Sequence, residues 1–227
     1  MDRQLKAQLI EYLSGFVTQN RLDTFERVLE NRTRYICAAL EDIFQGHNAS
    51  AVLRSMDCFG IQDAHIIEND YEYRINPDVA LGASNWLTLI RYNSGPDNTG
   101  AAIAALRSTG YRIVATTPHT SDVSLTDFDL YQGRVALFFG TELEGLSDTV
   151  LNNADEFLRI PMHGFTESFN ISVSAALVFY ELTERLRNSD LDWKLSKDEK
   201  QELRLQWLRQ SLKRPDLLVK RFLEAHP

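Results

Sequence analysis

Some of the residues best suited to chemistry sit in a stretch running from Gly46 to Gly60, GHNASAVLRSMDCFG. It carries Asn48 and, six positions later, Arg54, among the apolar residues Val52, Leu53, Met56 and Phe59. A guanidinium is a planar fork suited to phosphate and to bidentate contacts. A cation among apolar neighbours usually has a partner, although long side chains also snorkel to water. Further on, GTELEGLS holds Gly140, Glu142 and Gly145, and MHGFTESFN holds Gly164, Ser168 and Asn170. Glycines at such places let a backbone approach a ligand closely. Bare N–H and C=O groups there can read an adenine edge or a ribose. Ordinary structural roles compete with these readings. Ser168 and Asn170 precede a helix, where capping alone accounts for them, and the same holds for Asn48. Glu142 suits a surface position or the first turn of the next helix.

The elements that position these residues alternate in type. Residues 3–30 have apolar residues three and four apart and read as helix. YICAAL, AHIIE, NWLTLIRY, YRIVATT, VALFFG and EFLRIP read as strands. Between them lie a helix ending at Gly60, a second ending at Gly110, and a long amphipathic helix, ISVSAALVFYELTERLR. The tail from Lys197 reads as one or two helices broken at Pro215. The strands are continuous apolar runs, which predicts a mostly parallel sheet flanked by helices on both faces. In such sheets ligands bind beyond the carboxyl ends of the strands. PHTSD, TELEGLS and MHGFTESFN occupy those places.

Composition narrows the classes. The 227 residues are 44% hydrophobic and 25% charged, an ordinary globular balance. No run approaches the roughly 18 apolar residues of a membrane span, and the N-terminus lacks a signal-peptide layout. Only Cys37 and Cys58 are present, and no two of the five His have zinc spacing, so neither a disulfide framework nor a metal is expected. A reduced cytoplasmic setting is expected. The net charge of −8 is unevenly spread. Residues 35–185 hold eight Arg, no Lys and twenty Asp or Glu, whereas residues 186–227 hold ten Lys or Arg against seven Asp or Glu. Dinucleotide (G-x-G-x-x-G), P-loop and G-x-S-x-G signatures are all missing.

Taken in order, the segments resemble a known family. HNASAVLRSMDCFGI, VALFFGTELEGLS and LRIPMHGFTESFNISVSAALVFYEL are similar to motifs 1, 2 and 3 of the SPOUT superfamily RNA 2′-O-methyltransferases, over roughly residues 31–185. GHNASAVLRSMDCFGIQDAHIIE and GASNWLTLIRY resemble the TrmH type in particular. The resemblance implies a SPOUT fold, α/β with a C-terminal deep trefoil knot. It implies a methyltransferase domain over 31–187, between helical extensions at 1–30 and 188–227. S-adenosylmethionine would be the cofactor, held by Thr116, Gly140, Ile160, Met162 and Phe169, and no metal would be needed. Arg54, Asn48, Ser168, Asn170 and Glu142 would form the catalytic set. The implied substrate is the ribose of guanosine 18 in the tRNA D-loop, with ribosomal RNA or another tRNA position as the alternative. A non-catalytic RNA-binding dimer stands further off. A homodimer is implied, packed through the helix bearing Ser172, Ser174, Ala175 and Ala176, small residues that equally suit an internal helix contact, with no membrane or DNA partner. Lys194, Lys197, Arg204, Arg209, Lys213 and Arg214 are the tail's candidate phosphate contacts, with ordinary surface charge as the other reading.

Overall fold

The computed structural model describes residues 2–43, 45–74, 76–118, 122–141 and 144–225. Two compact units are present, Thr33–Trp193 and a second made of Met1–Arg32 with Lys194–Pro227.

The larger unit is an α/β sheet of seven strands: β1 (Ile36–Glu41), β2 (Asp63–Ile67), β3 (Thr88–Tyr92), β4 (Arg112–Thr116), β5 (Val123–Ser124), β6 (Val135–Phe139) and β7 (Glu156–Arg159). Their order is β3-β2-β1-β6-β4-β7-β5, and every pairing is parallel. β1 shows why the strands read as unbroken apolar runs. Ile36, Ala38 and Leu40 join one core, while Cys37 and Ala39 join the other. Both faces are covered, so neither can be polar. The first core is shared with α3 (Gly46–Phe59) and α7 (Ile171–Arg187), through Val52, Leu53, Met56, Val178 and Phe179. The second is shared with α5 (Asn98–Ser108) and α6 (Asp148–Asn153), through Ile103, Leu106 and Val150. A one-turn α4 (Pro77–Ala80) precedes β3.

The helix ends follow local chemistry. α3 stops at Gly60, which adopts a left-handed φ of 78°. Its start differs from expectation: it begins at Gly46, so Asn48 lies inside the first turn and does not cap it. Gly46 is required there because a Cβ would stand 2.4 Å from the Arg74 carbonyl oxygen.

The smaller unit holds α1 (Arg3–Ser14), α2 (Gln19–Leu29), α8 (Lys197–Ser211) and α9 (Pro215–Ala225). The single helix expected over 3–30 is therefore two, with Thr18 capping the second. Buried Leu13, Phe25, Leu29 and Trp207 form its core, the Phe25 and Trp207 rings 5.5 Å apart. Several tail cations pair within this unit: Lys200 with Glu30 at 2.6 Å, Arg204 with Glu26 at 2.5 Å and Arg209 with Asp216 at 2.8 Å. Exposed pairs of this kind contribute at most about 1 kcal/mol each. Lys197, Lys213 and Arg214 make no ion pair with a described residue.

Candidate active site

β4, β6 and β7 are consecutive neighbours in space, and their carboxyl ends open into one cleft of about 320 Å³. Phe139, Leu158, Ile160, Ile171 and Val178 give it apolar walls. Thr116, Thr117, Thr141, Glu144, Ser168 and Ser174 add polar groups. A mostly apolar hollow with a few placed polar groups is the usual form of a small-molecule site.

One wall is backbone. The chain leaves β6 at Gly140 and folds back, so that Thr141 N–H donates to the Gly145 carbonyl at 2.9 Å and Gly145 N–H returns to the Thr141 carbonyl at 3.1 Å. The approach is so close that a Cβ on Gly140 would lie 2.1 Å from the Gly145 carbonyl oxygen. Gly145 itself has φ +72°. Glycine at both points is therefore a steric requirement. Thr116 donates its hydroxyl to the Phe138 carbonyl at 2.7 Å, which fixes that side chain against β6.

All five residues expected to hold a cofactor, Thr116, Gly140, Ile160, Met162 and Phe169, line this cleft, and Ser168 joins them. Asn170 caps α7 by accepting from Ser172 N–H at 2.9 Å. Its amide also donates to the Asn48 side-chain oxygen at 3.3 Å, so capping is only part of what it does. Asn48 is buried and donates to Gln45 Oε1 at 3.2 Å. An amide pair thus ties the first turn of α3 to the start of α7, two residues beyond Ser168.

Arg54 stands apart. It is exposed on α3, makes no hydrogen bond or ion pair with a described residue, and does not line the cleft. Its apolar neighbours Val52, Leu53 and Met56 face the core on another side of the helix. Glu142 lies outside the described residues. Glu144, two positions on, lines the cleft and was not singled out from the sequence. The motif's two closely spaced carboxylates were the available signal. Among the described residues no Lys or Arg lines the cleft, and no cluster of His, Cys, Asp and Glu could hold a metal ion.

A parallel α/β sheet with a cleft walled by loops after neighbouring strands defines the class as an open α/β protein, in which ligands bind beyond the carboxyl ends of the strands. The matching family model is more specific: residues 35–180 match the SpoU rRNA Methylase family, and the chain belongs to that family. It is 45% identical over 204 residues to the tRNA (guanosine(18)-2′-O)-methyltransferase of Borreliella burgdorferi, covering 90% of this chain and 91% of that one. It is 32% identical over 149 residues to the 23S rRNA (guanosine-2′-O-)-methyltransferase of Escherichia coli, covering 63% and 57% respectively. The Aquifex aeolicus TrmH/SpoU tRNA modifying enzyme superposes with a TM-score of 0.75 at 25% identity, covering 86% of this chain and 98% of that structure.

Proposed function

We propose that this chain transfers a methyl group from S-adenosylmethionine to the ribose 2′-OH of guanosine 18 in the tRNA D-loop. The observation that carries this reading is the 45% identity, over nearly the full length of both chains, to an enzyme named for that reaction.

The cleft suits the donor. Its apolar walls accept a nucleoside, and its exposed backbone can read an adenine edge. Glu144 is a carboxylate in a cleft with no cation among its described lining residues, which favours a ligand bearing positive charge. When bound, S-adenosylmethionine supplies a methyl already activated by its sulfonium. Thr116, Gly140, Ile160, Met162 and Phe169 would hold it, in part through backbone groups. Alignment then provides most of what the protein must add. Arg54 cannot serve as a base, because a guanidinium stays protonated in proteins. Exposed and without a partner among the described residues, it can clamp a phosphate and stabilise the alkoxide that develops as the 2′-OH loses its proton. Asn48 and Asn170 hold α3 against α7, and Ser168 shapes the mouth of the cleft. Glu142 is assigned to support of the cofactor loop.

The strands around the cleft are read as part of a deep trefoil knot, one of the rare exceptions to un-knotted chains. A cytoplasmic homodimer is also part of this proposal. Val173, Leu177 and Tyr180 leave an exposed apolar stripe along α7, continued by Phe169, which fits a helix-to-helix interface. The larger unit carries the chemistry, and the terminal helices are assigned to RNA. Lys197, Lys213 and Arg214 are assigned to phosphate, because they make no ion pair with a described residue. A second reading keeps the chemistry and changes the substrate to ribosomal RNA, favoured by the similarity to the Escherichia coli 23S rRNA enzyme.

The test is methyl transfer from labelled S-adenosylmethionine to unmodified tRNA and to ribosomal RNA fragments, with wild type beside Arg54→Ala. Digestion should yield 2′-O-methylguanosine from the D-loop. Arg54→Ala should lose about 100- to 1000-fold in rate while still binding the donor. Label in ribosomal RNA alone would discard the tRNA assignment. No label in either RNA would discard the methyl-transfer reading.

A further inference from the structure

Glu41 closes β1 and is only 3% exposed, yet it belongs to none of the three motifs. A carboxylate taken out of water needs donors. Glu41 has three. Its Oε1 accepts from the Thr99 hydroxyl at 2.6 Å and from the Ser147 hydroxyl at 2.7 Å, and its Oε2 accepts from the Ser147 backbone N–H at 2.9 Å. No described cation pairs with it.

Ser147 is the point that matters for the cleft. It caps α6 and follows directly on the loop that leaves β6 at Gly140. Thr141 and Gly145 pair through their backbones, so the two described ends of that segment are held to each other. One end follows β6. The other leads to Ser147, whose backbone and side chain both run to Glu41 on the adjacent strand. Glu41 does not line the cleft, but Gly140, Thr141, Glu144 and Gly145 do.

We propose that Glu41 is a positioning residue for the methyl donor: by holding Ser147, it fixes Glu144 and Gly145 against Gly140 and Thr141 in the cleft wall and sets donor affinity without touching the donor. The proposal rests on the reading of the cleft as the S-adenosylmethionine site. An acceptor-only group matches three donors. A glutamine would offer a single acceptor oxygen and set N–H donors against the hydroxyls.

The experiment is calorimetric titration of S-adenosylmethionine into wild type, Glu41→Gln, Ser147→Ala and the double variant, with steady-state kinetics on tRNA. Glu41→Gln should weaken donor binding about tenfold, the scale of one lost hydrogen bond to a charged group. Ser147→Ala keeps its backbone N–H and should weaken binding about threefold by the same reasoning. The double variant should bind no more weakly than Glu41→Gln, because both act through one contact. KM for the donor should rise in step, while KM for tRNA and kcat at saturating donor stay within about twofold. A merely structural role would instead lower the melting temperature and the active fraction, and so kcat. Wild-type donor affinity in Glu41→Gln, or a loss confined to kcat, would overturn the inference. If Glu41→Gln does not fold, Ser147→Ala decides alone, and unchanged affinity there overturns it. Wild type that binds no S-adenosylmethionine would remove the cleft reading and this inference together. Binding in wild type with equal binding in the variants would remove the inference alone.

Discussion

At the amino ends of β1, β2, β4 and β6, the residues Arg34, Asp63, Tyr111 and Arg134 close on one another; at the carboxyl ends of β4, β6 and β7 the chain presents glycine backbone and small hydroxyls to a cleft. Arg34 Nε holds both oxygens of Asp63, at 3.0 and 3.2 Å. Arg134 donates to the Arg34 carbonyl at 3.0 Å and to Thr109 at 3.1 Å, and its guanidinium lies 4.0 Å from the centre of the Tyr111 ring. Tyr111 donates to the same Arg34 carbonyl at 2.6 Å. Burial pushes the Tyr111 hydroxyl well above its usual range. Burial also raises the Asp63 carboxyl, against the pull of Arg34. One end of the sheet thus uses its polar groups up internally. The other sets glycine backbone and hydroxyl side chains around a cleft, and its shape comes from backbone conformation. Stability and binding are separable on this molecule because they are built at opposite ends of the same strands.

Substitutions at the two ends should therefore fail in different ways. The largest effect belongs to Gly140→Val, which forces side-chain atoms into the Gly145 carbonyl. Transfer should fall at least about 1000-fold, since misplacing a wall by an ångström alone can cost about 100-fold. Circular dichroism should still report a folded chain. Asp63→Ala, at the opposite end, should cost about 3 kcal/mol in urea unfolding, because it removes a buried carboxylate bonded to Arg34. The same variant should leave KM for the donor unchanged. If KM moves as well, the two ends are coupled and the comparison fails.

The smallest effect comes from mid-strand. His65 is buried on β2 beside the Tyr92 hydroxyl at 3.0 Å, and burial lowers its pKa to about 4. Between that value and the ordinary 6.5 the ring is neutral in the fold and protonated in the unfolded chain. The unfolded state then binds the extra proton. The contribution to stability is complete above pH 6.5 and is lost as pH falls toward 4. Unfolding free energy should drop by about 2 kcal/mol from pH 7.5 to pH 5 at 1.36 kcal/mol per pKa unit. His65→Gln should flatten that slope, and an unchanged slope would point to other groups.

The sheet was legible because strands covered on both faces are mostly apolar, as β1 is from Ile36 to Leu40. Elements too short for periodicity were not: α6 has six residues and β5 has two. The turn between α1 and α2 was hidden by Phe16 and Val17, which continue the apolar spacing although Phe16 is exposed. The start of α3 was misplaced because Gly46 answers to a tertiary contact, the carbonyl of Arg74. The cleft residues were found through motif resemblance, and six of them meet in space. Glu41 was not found, because its partners Thr99 and Ser147 lie far along the chain and no local pattern links them.

The cleft also has a place in time. Its residues begin at Thr116 and end at Val178, while β6, which supplies Phe139 and Gly140, is held between β1 and β4. Ile36 meets Val135 only after the intervening chain exists, and α7 adds the last wall. Parallel pairings over such separations must meet the loss of chain freedom before they gain contacts. During synthesis, then, the cleft is incomplete until its last lining residues are made. The cleft closes late, when α7 docks, and a chain that stops short of that helix lacks the wall made by Ile171, Ser174 and Val178.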